Sequence, residues 1–475
     1  MVTDKPAQRG TGGLVMGGGR AGATGGRRVA AALLAALLAV ALAACGGGSE
    51  KADASKITIA YKQFGGNPVY EQFLTAAKAE FEKANPGLTV NLQPITASDS
   101  DYLTKLQLQM RSPKTSPDMV YEDTFQINSD IEAGYLSPLD DRLAAWPDWS
   151  NYSETAKGAG KALDGKTYGV PDGTDTRGIW FNKEIFAKAG LPTDWKPTTW
   201  QDILDAARTI KAKVPGVIPF NIYSGKGVGE AASIQGFEML LYGTADTLYD
   251  APSRKWVLGS KGFTDSLNFV KTIYTEQLGP TPAQSLDTKF SYVVSQQLLP
   301  KGQLAINLDG SWISHNWLPT DAAPWPQWST ALGTAAMPTQ NGQAPGRVSM
   351  SGGWTWAIPK NAGNPDKAWE FLKLISDREH QLHWSIINVQ IPVRTDVASD
   401  PSYLAANPTN EFFASLVPIT HYRPAYALYP RISSEIQVAM ESVMTGTADV
   451  PTAVKTYDER VKGIAGDAVM TAAGS

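Results

Sequence analysis

The chain has 475 residues, 43% hydrophobic, 19% charged and 9% aromatic, enough apolar material for two large folded bodies and too much for a disordered, collagenous or coiled-coil chain. Its single cysteine, Cys45, excludes an internal disulfide and any zinc site built on several thiolates. Net charge is -4, and with positions 1–45 set aside 37 basic residues face 45 acidic ones, about -8, which argues against nucleic acid or an anionic membrane face as partner.

In chain order, Arg27 and Arg28 precede an uncharged run, VAAALLAALLAVALAA over 29–44, with the basic and apolar regions of an export signal. Its 16 residues fall short of the roughly 20 needed to span a bilayer. The run ends in Leu42-Ala43-Ala44-Cys45-Gly46, which resembles the bacterial lipoprotein box, where the cysteine becomes the lipidated first residue. Residues 1–44 are therefore expected to be a lipoprotein signal peptide and 45–55 a flexible Gly/Ser tether. The pattern places the rest on the extracellular face of the cell membrane, held by lipid at Cys45; whether export is general or twin-arginine stays open.

Ile57–Tyr61 reads as a buried strand. Asn67 and Pro68 then supply an N-cap and first-turn proline for a helix with Val69, Phe73, Ala77 and Phe81 on one face. A second strand, 88–92, completes a β-α-β unit and predicts a parallel sheet. Thr199 with Asp202 forms a capping box before a helix carrying Ile203, Ala206, Ala207 and Ile210 inward. Asn364-Pro365 opens another helix with Ala368, Leu372 and Ile375 inward, and Ile432, Ile436, Ala439 and Val443 mark a further amphipathic helix ended by Gly446. No Gly/Ser linker divides the mature chain.

Enzyme signatures are absent: no Gly-x-Ser-x-Gly, no phosphate loop, no His-Glu-x-x-His. Gly225-Lys226-Gly227-Val228-Gly229 lacks nucleotide-loop spacing and reads as a flexible turn. Glu379, His380 and His383 read as surface or packing residues on one helix, and Asp140-Asp141 as a solvated loop. No carboxylate pair is nominated for glycoside hydrolysis. The 14 tryptophans are the positive signal. Trp312, Trp317, Trp325, Trp328, Trp354 and Trp356 lie in Gly/Pro-containing segments; core packing accounts for more than half. An indole beside glycine, as in Gly352-Gly353-Trp354, can leave a face open, and such a face with planar polar partners suits the apolar C–H faces and hydroxyls of a sugar.

The stretch YGVPDGTDTRGIWFNKEIF (168–186), then AGLP (189–192) and Thr199-Trp200, resembles the central segment of the family 1 extracellular solute-binding proteins of ABC transporters, the carbohydrate-binding group that includes maltose- and trehalose-type binders. SPDMVYED (116–123), GQLAINLDGSW (302–312), GGWTWAIP (352–359) and QIPVR (390–394) follow the same order, so the similarity spans about 56–465. The resemblance implies an α/β, two-lobed periplasmic-binding-protein-like type II fold, doubly wound sheets with the ligand cleft between lobes. Transferred here, lobe one would be 56–172 plus 308–352 and lobe two 173–307 plus 353–475. It implies a monomeric, non-enzymatic receptor with no cofactor or metal, which captures a di- or oligosaccharide and delivers it to ABC transporter permease subunits. It further implies that Glu122, Asp123 and Asp175 accept from sugar hydroxyls, that Trp312 and Trp354 stack, that Gly353 offers backbone, and that Arg423 is a late polar contact. Gln63 and Phe64 follow the first strand and are expected to face the cleft; Arg177 is either a ligand contact or the partner of Asp175. Phe125 departs from the polar residue of some maltose-type members, leaving the sugar open. The alternatives are a receptor of this architecture for another solute, such as a glycerol phosphate or peptide, a secreted glycoside hydrolase, or a scaffold lipoprotein without ligand.

Overall fold

Seven consecutive residues, Lys56–Lys62, form β1, and all but Lys56 and Thr58 are buried, the alternation-free burial of a strand covered on both faces. The computed structural model describes residues 53–64, 68–97 and 99–472. The export signal, Cys45, most of the expected tether and Asn67 lie outside the described residues. The remaining strands are β2 (Thr89–Ile95), β3 (Met119–Asp123), β4 (Gly169–Thr174), β5 (Arg177–Asn182), β6 (Ile218–Asn221), β7 (Tyr249–Asp250), β8 (Lys255–Leu258), β9 (Leu304–Gly310), β10 (Leu332–Ala335), β11 (Met337–Pro338), β12 (Arg347–Ser351), β13 (Gly353–Ala357), β14 (Thr420–Tyr422) and β15 (Val469–Thr471).

Two sheets carry the architecture. The first runs β2-β1-β3-β13-β4, with β1 parallel to β2 and β3, and β13 antiparallel to both β3 and β4. The second runs β10-β5-β9-β6, with only β9 and β6 parallel. Two three-stranded sheets, β11-β12-β14 and β15-β8-β7, complete the set. The chain leaves the first sheet at Thr174 and enters the second at Arg177, so only Asp175 and Thr176 make that crossing. It returns through Gly352, between β12 and β13.

The opening unit is as its periodicity predicts: the helix Val69–Ala84 buries Val69, Phe73, Ala77 and Phe81, and joins parallel strands. Thr199 and Asp202 do form a reciprocal capping box on the helix Trp200–Lys213. The helices Pro365–Ile375 and Tyr429–Met444 bury their expected faces, and Gly446 has φ 72°. Asn364, however, does not cap by its side chain; its amide instead donates to the carbonyls of Asp53 and Lys56, tying that helix to the start of β1. Asp140 and Asp141 are exposed but open a short helix, Asp140–Ala144.

The expected lobe assignments need one correction. The strand residues 308–310 and 332–335, expected in lobe one with 308–352, belong with the second sheet, and 353–357, expected in lobe two with 353–475, with the first; 304–307 pair with the second sheet, in keeping with their expected place in lobe two. The cause is pairing: β9 is buried at every residue, as a central strand must be, and finds β5 and β6 on its two sides. The first boundary, expected at 172, falls two residues later, at the end of β4.

Candidate functional site

The ends of both main sheets enclose one cavity of about 220 Å³. From the first sheet come Lys62, Phe64, Asp123, Gly353 and Trp354; from the second come Arg177, Asp309 and Trp312. Asp175, on the crossing between them, also lines it, as do Arg423 and Gln390. The expected Trp312, Trp354 and Asp175 therefore share one space. Trp317, Trp328 and Trp356 are buried in the core instead, and Trp325 packs against it.

Period-two alternation decides which neighbours reach the cavity. Asp123 points into it, so Glu122, one residue back on β3, points away. Glu122 is fully buried on the opposite face, and burial together with the neighbouring Asp130 carboxyl holds its pKa well above the usual range. The same parity places Lys62 and Phe64 at the cavity and leaves Gln63, whose backbone N–H donates to Ile95 O (3.1 Å), outside its lining. Glu122 and Gln63 are thus the two expected contacts that do not line the cavity.

Trp354 lies opposite Asp123 across the β13–β3 pair and stacks on Tyr121, with ring centroids 4.8 Å apart and planes 15° apart. Phe64 meets it edge-on at 5.5 Å. Gly353 has φ 137°, and a Cβ there would come within 2.5 Å of Gly173 O, so this turn of backbone into the cavity requires glycine. On the other side, the Arg177 guanidinium stands 4.8 Å from the Trp312 ring centre. Both indoles are half-buried.

The charges are internally matched. Asp175 is ion-paired with Arg177 and accepts from the Gly352 N–H at 2.8 Å. Arg177 is therefore both the partner of Asp175 and part of the lining. Arg423 donates to Asp123 Oδ1 (2.6 Å), Thr124 Oγ1 (3.2 Å) and Glu230 Oε2 (3.3 Å), while its guanidinium covers Phe125 at 4.7 Å. Burial works against the Arg423 charge, but Asp123 and Glu230 outweigh it and raise its pKa. Burial raises Glu230, opposed chiefly by Arg423, and likewise raises Asp309, whose carboxylate accepts from Tyr223 Oη at 2.7 Å. Lys62 is pushed down to about 8 by burial, with Asp123 opposing.

Sequence reasoning passed over several lining groups. Glu230 follows the glycine cluster read as a flexible turn, which is a 3-10 turn at Lys226–Val228 leading into a wide π-helical segment, Ala231–Glu238. Gln235 of that segment lines the cavity, as do His315, Asn316 and Asn388. Asp309 and Gln390 lie inside the motifs above, and the position of Asp309 near the end of β9 was the available signal. The His380–His383 helix stays apart: His380 Nδ1 lies 3.0 Å from Asp377 Oδ1, and both rings pack on Phe73.

The profile of the bacterial extracellular solute-binding protein family matches residues 66–382. The chain belongs to that family. A Brucella abortus binding protein is 24% identical to this one over 416 residues, covering 86% of this chain and 92% of its own. The maltooligosaccharide ABC transporter solute-binding lipoprotein of Streptococcus pneumoniae is 23% identical over 337 residues, 70% of this chain and 71% of its own. Among solved structures, the GacH receptor of Streptomyces glaucescens, described unliganded and with acarbose, superposes with a TM-score of 0.74 at 22% identity, over 87% of this chain and 99% of the receptor. This solute-binding protein accordingly has the two-lobed α/β fold of that receptor, with its cavity between the sheets.

Proposed function

We propose that this solute-binding protein captures a neutral di- or oligosaccharide between its lobes and delivers it, unaltered, to the permease of an ABC importer. The carrying observation is the joint lining of one cavity by Trp312, Trp354, Asp123, Asp175 and Arg177. Indole faces suit sugar C–H faces, and planar carboxylate and guanidinium groups suit vicinal hydroxyls. The carboxylates and guanidinium groups that line the cavity hold partners within the protein, so the site asks for no countercharge from its guest. The names of the pneumococcal relative and of the Streptomyces receptor's ligand agree with a sugar. Each lobe would contribute one indole, which favours closure of the lobes around the guest.

A thermal-shift series with mono-, di- and oligosaccharides tests this reading. A binding sugar at a hundred times its Kd stabilises by about 2.7 kcal/mol, which raises Tm. Absence of any shift across the series, or release of shorter products from a bound sugar, would overturn it. We further propose that the protein is held to the extracellular face of the cell membrane by lipid at Cys45, on the strength of the Leu42–Gly46 box. Retention of Cys45→Ala in the membrane fraction would refute the anchor.

A further inference from the structure

Gly310 and Trp312 flank the end of β9 in an arrangement that nothing in the local sequence requires. In the β5–β9 pair Arg177 stands directly opposite Gly310, so the two positions share one face of the sheet. At Gly310 that face holds no side chain. The Trp312 ring occupies the place instead: a Cβ built on Gly310 would overlap ring atoms Cζ3, Cη2 and Cε3. The Arg177 guanidinium stands over the same ring, 4.8 Å from its centre. The backbone cannot yield to a larger residue, because Gly310 O accepts from Trp180 Nε1 (3.1 Å), Gly310 N donates to Asp309 Oδ1 (2.8 Å) and Ser311 N donates to Thr176 O (2.9 Å). Any side chain at 310 must therefore displace the indole, and the neighbouring free space is the 220 Å³ cavity.

We infer that Gly310 is a positioning residue for ligand recognition: the empty slot at 310, bordered by Arg177, seats the Trp312 indole as one wall of the cavity. The recognition role rests on the sugar reading above; the seating itself does not. A double-mutant cycle separates the two, using Gly310→Ala, Trp312→Ala and the double variant. Gly310→Ala in the full chain is expected to lower Tm by about 2–6 °C, through overpacking. In the Trp312→Ala background the same change should move Tm by no more than about 1 °C, because its collision partner is gone. An equal loss in both backgrounds, or none in either, overturns the seating. For recognition, calorimetry with maltotriose should give a loss of about tenfold for Gly310→Ala and for Trp312→Ala, and no further loss in the double variant. Native affinity in Gly310→Ala overturns the recognition role. If maltotriose fails to bind the unmodified protein, calorimetry is repeated with whichever sugar gives the largest thermal shift. Should none bind, the sugar reading and the recognition role fall together, while the Tm cycle still decides the seating. Should Gly310→Ala fail to fold, recovery of folding in the double variant supports the seating, and no recovery overturns it.

Discussion

Asp175 concentrates three tasks in one side chain: it bridges the lobes by position, accepts from the Gly352 N–H of the return crossing, and neutralises Arg177. Arg177 is 5% exposed, and burial lowers its pKa despite Asp175, so losing the carboxylate leaves a buried cation uncompensated. Hydrogen bonds to charged groups contribute about 1.5–3 kcal/mol each. Asp175→Ala is therefore expected to weaken sugar binding by about 10- to 100-fold and to lower Tm as well. Calorimetry giving the native affinity would remove Asp175 from the site. Glu122 is the contrasting case, a carboxyl beside Asp123 on β3 that faces the interior, where burial and the Asp130 carboxyl raise its pKa.

At the level of single elements, local rules and function separate. The box on the helix Trp200–Lys213 satisfies its first-turn donors: Asp202 N–H donates to Thr199 Oγ1 at 3.2 Å, and Asp202 Oδ2 accepts from Thr199 N at 2.9 Å. That helix lies outside the cavity lining. Thr199→Ala should thus lower stability by about 1 kcal/mol in chemical denaturation while leaving sugar affinity unchanged; a change in affinity would tie the helix to the site. The π-helical segment Ala231–Glu238 differs, because it places Ala231, Ile234 and Gln235 at the cavity while sending Glu238 inward to accept from Tyr429 Oη at 2.6 Å. Its wider turn has no signature in the residue spacing.

Across the whole molecule, buried carboxyls set the response to pH. Burial pushes Glu238 up to about 8, Asp172 to about 7 and Asp130 to about 6. Below the ordinary carboxylate range both folded and unfolded chains hold these protons. As pH rises, the unfolded chain releases them first, so the stability they contribute is lost up to each folded value. His380, raised mainly by its hydrogen bond to Asp377, acts in the same sense, whereas His383 and His421 are lowered by burial and oppose it. Tm should accordingly be higher at pH 5.5 than at pH 8. Glu238→Gln, which retains an oxygen for Tyr429, should flatten that slope, removing on the order of 2 kcal/mol of the difference. A slope identical to that of the unmodified protein would exclude Glu238 as a contributor.

Residue order alone determined the β-α-β opening, the helix faces, the capping box and the family, since each depends on contacts within a few residues or on a motif read in line. Eight of the ten expected site residues line the cavity for the same reason: they sit at strand ends and crossings that the motifs mark. Strand partners and side-chain parity were decided only in three dimensions. Whether β9 joins the first or second sheet, and whether residue 122 or 123 faces the cavity, depends on hydrogen-bonded neighbours more than eighty positions away. The seat for Trp312 is of this kind as well, because the gap left by Gly310 becomes a slot only once Arg177 is brought alongside it.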